Sequence, residues 1–297
     1  MGNALTRIER PMNPDLDYIL GLPFGVHDHG FVRLIDYMGG DASIVQAARV
    51  SYGAGTKTRN DDRGLIRYLL RHDHTTPFEM CEIKLHLKMP IFVARQWVRH
   101  RTASMNEVSG RYSVMPEEFY VPEPGAVQAQ STANKQGRGD SLPGHIVEWF
   151  RNVVSNEGKR AFGAYKTAVE EPMGISRELA RINLPLGTYT EFYWKVDLHN
   201  LFRFLRLRTD PHAQKEIRDY ANVVSIIVEK WCPVAFEAWL DYQRNAVTLS
   251  APERAIVRAM LANLTTETRN LMIENSGLSR REQDELREKL MVPRADS

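Results

Sequence analysis

Between Met80 and Met89 apolar and polar residues alternate without a break. Cys81, Ile83, Leu85, Leu87 and Met89 take one face, and Glu82, Lys84, His86 and Lys88 the other. A period of two marks a strand with one wet face, which suits an antiparallel sheet. Phe31 to Met38 reads as a second strand, broken by Gly39-Gly40, and Thr188 to Val196 has the β-branched and aromatic content of a third. Elsewhere the spacing is helical. Leu65, Ile66, Leu69 and Leu70 predict an amphipathic helix from Asp61 to His72. Asp41 is placed to cap a short helix reaching about Val50, and Pro90 to open one over Ile91 to Arg101. Further helices are expected from Gly144 to about Glu171, around Ser176 to Ile182, over Leu198 to Arg208, from about Ala213 to Trp231, and through Phe236 to Tyr242. Ser, Asn and Gly cluster between Ala103 and Arg111, predicting a loop or turn, and residues 121–144 read as a mobile loop poor in bulky apolar groups. The tail from Ser250 to Leu290 is charged and helical, opened by Ser250-Ala251-Pro252-Glu253. The pattern predicts an α+β fold: an antiparallel sheet with packed helices as one domain over 30–243, between an extended N-terminal arm (1–29) and a charged helical C-terminal extension (244–297).

Bulk properties narrow the functional classes. At 297 residues and 43% hydrophobic content the chain can bury a substantial core. A formal charge of +2 makes the local arginine clusters fit a focused anion pocket better than a broad nucleic-acid face. Two cysteines, Cys81 and Cys232, are too few for a disulfide framework or a zinc site. With no apolar stretch of membrane-spanning length and no signal-like N-terminus, a cytoplasmic protein is expected.

The chemistry concentrates in one run, Arg99-His100-Arg101-Thr102-Ala103-Ser104-Met105-Asn106-Glu107-Val108-Ser109-Gly110-Arg111. Guanidinium groups offer planar pairs of donors that match phosphate oxygens. Gly110 between Ser109 and Arg111 lets backbone approach an anion, and Glu107 supplies one acceptor for a hydroxyl or base edge. A plainer reading pairs Arg95 and Arg111 with Glu82, Glu107 or Glu117 as a structural network, which explains the charges but not Ser109-Gly110. Gln96, Arg99 and His100 share one helical surface. Arg208 falls on the apolar face of Leu201, Phe204 and Leu205, either snorkelling off the helix end or held dry against a ligand. His74 reads as a capping or surface group at a helix end. The pairs His27/His29 and His72/His74 have metal-like spacing, but no cysteine or carboxylate constellation joins them, and no metal is expected. There is neither a Walker loop nor a dinucleotide glycine fingerprint, so a flavin or nicotinamide would have to be held in another way.

Arg-His-Arg, seven residues, then Ser, any residue and Arg resembles the signature of the flavin-dependent thymidylate synthases (ThyX). The stretches Arg177 to Leu186, Leu205 to Gln214, His72 to Glu79 and Phe92 to Trp97 resemble that family too, and the likeness covers roughly residues 30–243. The resemblance implies a ThyX-like fold and the reductive methylation of dUMP to dTMP. It implies FAD as cofactor, NADPH as reductant, 5,10-methylenetetrahydrofolate as carbon donor, and a homotetramer with shared active sites. It assigns Arg99, His100 and Arg101 to FAD, with Thr76 and Glu107 nearby and Asp197, Leu198, His199 and Arg203 as further contacts. It assigns Gln96, Trp97, Val98 and Arg99 to dUMP, together with Glu107, Val108, Ser109, Gly110, Arg111 and, from a neighbouring chain, Arg181. Arg208 is implied as the residue that activates the uracil ring, and His74 and Tyr112 are candidates on the folate or flavin side. The chain departs from the family where Asp197-Leu198-His199 stands for a common Asn-Ala-Arg, and where Arg203 replaces an amide or histidine. A non-catalytic nucleotide sensor and an RNA-binding module are the alternatives. Bound flavin would exclude the second, and bleaching by NADPH would argue against the first.

Overall fold

The structure is a computed structural model that describes residues 11–50, 61–133 and 135–290. The first ten residues of the expected arm and the last seven of the expected extension lie outside the described residues. The chain divides into two compact units, one reaching Arg244 and one starting at Asn245.

The first unit opens with a helical turn, α1 (Pro14–Asp17), and two strands, β1 (Pro23–Val26) and β2 (Gly30–Met38). Helices α2 (Asp41–Arg49), α3 (Asp62–Arg71) and the single turn α4 (Thr76–Glu79) lead to β3 (Glu82–Pro90), α5 (Ile91–Trp97) and β4 (Ser104–Glu107). A hairpin of β5 (Gln128–Gln130) and β6 (Arg138–Ser141) precedes the long α6 (Gly144–Val169) and short α7 (Arg177–Ala180). Then follow β7 (Tyr189–Asp197), α8 (Leu198–Arg208), α9 (Lys215–Trp231) and α10 (Pro233–Trp239) with a closing π-helical turn, Leu240–Arg244. The main sheet runs β1-β2-β3-β7-β4, every pair antiparallel, with β3 and β7 in continuous register from Glu82↔Asp197 to Pro90↔Tyr189.

The alternation expected of β3 is present: Ile83, Leu85, Leu87 and Met89 are buried and the residues between them half-buried. In β2 a bulge at Ile35 shifts the alternation by one residue, so that Leu34 and then Tyr37 face inward while Asp36 stays exposed. Onto this face pack Leu198, Leu201, Phe202 and Leu205 of α8 and Ile217, Tyr220, Val224, Ile227 and Val228 of α9, all in one hydrophobic cluster.

Five local expectations need correction. Residues 11–29 are not a free arm: Leu16 and Ile19 are buried, and β1 is an edge strand of the sheet. The Tyr37 hydroxyl pins them, accepting from Asn13 N at 2.8 Å and donating to Asp17 Oδ1 at 2.7 Å. Asp41 does not cap its own helix, which Gly40 precedes; its carboxylate accepts from Val234 N (2.8 Å) and Ala235 N (3.0 Å), closing the start of α10. Ala103 to Arg111 is not wholly loop, because β7 supplies the pairing that Ser104 to Glu107 would not find alone. The stretch 121–144 likewise holds the β5–β6 hairpin, and α5 ends at Trp97 rather than Arg101.

Cys81 and Cys232 are free and buried, and burial together with Cys81 beside it pushes the Cys232 thiol up. The second unit holds α11 (Ala251–Ala262), α12 (Thr266–Glu274) and α13 (Arg280–Leu290). Ser250 and Glu253 form a reciprocal capping box at the start of α11, and Arg287 donates to Asn270 Oδ1 (3.1 Å) to tie α13 to α12. No helix among the described residues is long and apolar enough to cross a membrane.

Gly30 sets up a test of the packing. A Cβ there would stand 2.6 Å from Val26 O and 2.9 Å from Lys88 O, and closer still to the Tyr220 hydroxyl. Two of those neighbours are backbone and cannot swing aside. Gly30→Ala is expected to destabilise the fold by about 1–3 kcal/mol in urea denaturation, and an unchanged midpoint would refute this packing.

Candidate functional site

The residues singled out by sequence fall into two groups. The first is built around Trp97, which is fully buried at the end of α5, edge-on to Trp194 (5.3 Å between centroids) and tilted against Phe204 (4.3 Å). That contact fixes the end of α5 beside α8, one turn before Arg208. Arg208 Nε donates to His100 Nε2 at 3.0 Å, and its NH2 donates to the Gln96 carbonyl at 3.2 Å. Arg208 therefore does not snorkel to bulk water: it is half-buried, and burial pulls its guanidinium below its ordinary value. A guanidinium carries five N–H donors, so three remain for a ligand.

His100 is the counterpart. Burial first, then the charges of Arg208 and Arg203, hold its imidazole down to about 4. The ring is neutral near pH 7, and Nε2 is free to accept from Arg208. Arg99, Arg101 and Arg203 are exposed and make no hydrogen bond or ion pair among the described residues. Their guanidinium edges are available to an anion.

The second group surrounds Gly110. The backbone turns there, with Tyr112 N and Ser113 N donating to Ser109 O (3.1 and 3.2 Å), while Ser109 Oγ accepts from Arg111 N at 3.3 Å. A Cβ on Gly110 would stand 3.3 Å from Arg181 Cδ, so Arg181 lies against this turn within one chain. Arg181, expected from a neighbouring chain, lies within this chain against the turn that carries Ser109 and Arg111. Arg111 Nε pairs with Glu178 Oε2 at 2.7 Å, each side chain 56% exposed, and Arg177 donates to Tyr112 O at 2.9 Å. The ion-pair network expected of Arg111 with Glu82, Glu107 or Glu117 is absent among the described residues. Glu82 takes Lys195, Glu117 takes Lys166, and Glu107 accepts from Thr190 Oγ1 at 2.6 Å. So exposed a pair as Arg111–Glu178 contributes little stability and yields readily to another anion. Among the described residues no hydrogen bond or ion pair joins the Arg208 group to the Arg111 group.

Thr76 and His74 lie elsewhere, on a cleft of about 1080 Å³ whose walls include Met38, Gly39, Ser43 and Tyr68. His74 is exposed beside Tyr68 (5.8 Å) and follows Asp73, whose φ of 56° is left-handed. Leu198 and Trp97 are fully buried, which leaves only their backbone to meet a ligand. Asp197 caps α8, and Asn200 engages both its oxygens (2.9 and 2.8 Å). His199 and Val98 are half-buried, and Val108 and Tyr112 exposed. Sequence reading passed over Gln214, which accepts from Gln96 Nε2, and the buried Glu216 behind it. The available signal was an acid one helical turn before Tyr220 on the buried face of α9.

The family model described as Thy1, thymidylate synthase complementing protein, matches residues 33–234. A curated relative from Ruegeria pomeroyi, named flavin-dependent thymidylate synthase, is 53% identical over 92% of this chain and 89% of its own. One of the same name from Gluconobacter oxydans is 51% identical over 93% of this chain and 90% of its own. Among solved structures, the UMP/dUMP methylase PolB from Streptomyces cacaoi bound with 5-Br UMP is similar at a TM-score of 0.66 and 32% identity, over 74% of this chain and 97% of that one.

The neutral His100 ring carries a pH signature. In the unfolded chain it titrates near 6.5, and in the fold it stays unprotonated down to about 4. Between these values the unfolded state binds the extra proton, so stability falls as pH drops through this window and levels off below it. The melting temperature of the parent is expected to fall more steeply between pH 6.5 and 4 than that of His100→Gln. Parallel curves for the two would place the cause outside His100.

Proposed function

The chain belongs to the thymidylate synthase complementing protein family, the flavin-dependent thymidylate synthases, and from that membership we propose that it methylates dUMP at C5 to give dTMP. The single observation that carries the reading is Arg208, held half-buried by a neutral imidazole with donors to spare. Beside a uracil ring this fixed positive charge stabilises negative charge spreading over N3 and the two carbonyls. Electron density at C5 rises, and C5 becomes able to attack the one-carbon unit. His100, being uncharged, holds the plane of the guanidinium without competing for the developing anion. No thiol takes part, in keeping with the burial of both cysteines.

dUMP is assigned to Gln96, Val98, Arg99 and Arg208 on one side and to Glu107, Ser109, Gly110, Arg111 and Arg181 on the other, with Ser109, Arg111 and Arg181 toward the phosphate. The assembly of this reading is a homotetramer with shared sites, in which a second copy brings its Arg111 group to the Arg208 group. FAD is the flavin of this reading. When bound, it supplies the hydride that reduces the transferred carbon, with NADPH as reductant and 5,10-methylenetetrahydrofolate as carbon donor. The chain's residues suit it: Arg99 and Arg101, without a partner among the described residues, match a pyrophosphate, and Thr76 opens on a cleft of about 1080 Å³. His100, Glu107, His199 and Arg203, with the backbone of Leu198, complete that assignment. Asp197, whose oxygens are already taken by Asn200, contributes through the cap it makes. His74 and Tyr112 are assigned to the folate or flavin side.

The purified protein is expected to be yellow, to bleach with NADPH, and to form dTMP from dUMP and 5,10-methylenetetrahydrofolate. Arg208→Ala should keep its flavin absorbance while dTMP formation falls about 10²–10³-fold, the scale of a lost transition-state donor. Parent-like turnover would count against ring activation. Ser109→Ala combined with Arg111→Ala should weaken dUMP binding about 10–100-fold, the worth of charged hydrogen bonds. A dissociation constant equal to the parent's would remove the phosphate assignment.

A further inference from the structure

Behind Gln96 lies a continuous chain of side-chain hydrogen bonds that ends on a buried acid. Glu216, in the first turn of α9, is 1% exposed. Its Oε1 accepts from Arg138 NH2 of β6 and from the Tyr120 hydroxyl at 3.0 Å, and its Oε2 accepts from Gln214 Nε2 at 2.9 Å. Gln214 Oε1 in turn accepts from Gln96 Nε2. Gln96 is thereby held twice, by its carboxamide here and by its backbone carbonyl under Arg208.

The direction of every bond in this chain follows from the charge on Glu216. Burial alone would push that carboxyl up, but the hydrogen bonds from Arg138 and Gln214 and the arginine's charge outweigh it and bring it below its ordinary value. An ionised carboxylate only accepts. Gln214 must therefore turn its NH2 toward Glu216 and its carbonyl oxygen toward Gln96. Gln96 must then present an N–H to Gln214, which fixes which end of its own carboxamide faces away. Left to itself, an amide flips with little preference between its two ends. Here the buried acid removes that freedom.

We propose that Glu216 and Gln214 are positioning residues for nucleotide binding, which set the orientation of the Gln96 carboxamide toward dUMP without touching the nucleotide. The inference rests on Gln96 being a dUMP contact. Arg138 reaches the relay from the β5–β6 hairpin, so that hairpin has a task in the site although it lies outside the signature run.

A double-mutant cycle on the flavin-loaded protein, read as the dUMP dissociation constant by calorimetry, tests this. Gln214 is exposed, so Gln214→Leu disturbs no packing, though it takes one donor from the buried Glu216 and should lower the melting temperature modestly. It is expected to weaken dUMP about fivefold, the scale of one net hydrogen bond. Gln96→Leu should weaken dUMP by at least as much, and the double variant no further, because the first change acts only through Gln96. Glu216→Gln, which can offer Gln214 a donor instead of an acceptor, should repeat the pattern, raising KM for dUMP while kcat stays within about twofold. If Gln96→Leu weakens binding but Gln214→Leu does not, or if their effects add in full, the relay is overturned while the dUMP site stands. If Gln96→Leu itself binds dUMP like the parent, the nucleotide contact fails and the relay falls with it.

Discussion

Trp97 is the wedge on which the site is assembled. Its indole fills the space between β7 and α8, meeting Trp194 and Phe204, and no part of it reaches solvent. Aromatic contacts of this kind combine a large buried area with a preferred geometry, so they fix a helix end in rotation as well as in distance. Gln96 and His100, on either side of Trp97, can meet Arg208 because Phe204 lies one turn before it on α8. His100 also rests edge-on against Phe204 (4.9 Å). The donors and acceptors at this point are thus placed by apolar packing beneath them.

Electrostatics then decide what that geometry can do. A histidine beside two arginines, and partly buried, gives up its proton, and this turns a repulsive pair into a hydrogen bond with a defined donor. Glu216 shows the opposite outcome although it is more deeply buried. Desolvation disfavours its charge, yet a guanidinium and an amide satisfy the carboxylate well enough to keep it ionised. Both groups connect to Gln96, one neutral because burial and then neighbouring cations disfavour its proton, the other charged because its neighbours are donors. The Arg111 turn is held in a contrasting way, by a solvent-facing ion pair with Glu178 that leaves it free to exchange partners.

Much of the fold was legible because hydrophobic periodicity is a local property. The alternation of Ile83, Leu85, Leu87 and Met89 and the helical spacing of Leu65, Ile66, Leu69 and Leu70 each name an element without reference to the rest of the chain. The strand β4 was illegible for the complementary reason. Ser104, Met105, Asn106 and Glu107 are all exposed, and their extended form depends on hydrogen bonds from β7, almost ninety residues away. The packing of residues 11–29 was hidden by their Pro, Gly and Asn content, although Leu16 and Ile19 carry enough apolar surface to dock once Tyr37 offers its hydroxyl.

By itself the sequence determined the α+β class, the run from Arg99 to Arg111 and its likeness to a family, and Arg208 as a charge on an apolar face. These are statements about residue types and their spacing, and both are complete in one dimension. Only the tertiary structure decided that Arg208 bonds to His100, that Arg181 lies with Gly110, that Asp41 caps α10, and that Glu216 stands behind Gln96. Each of those joins residues far apart in the chain, and each depends on burial or on a neighbour's charge. Such quantities exist only once the chain has folded and water has been displaced.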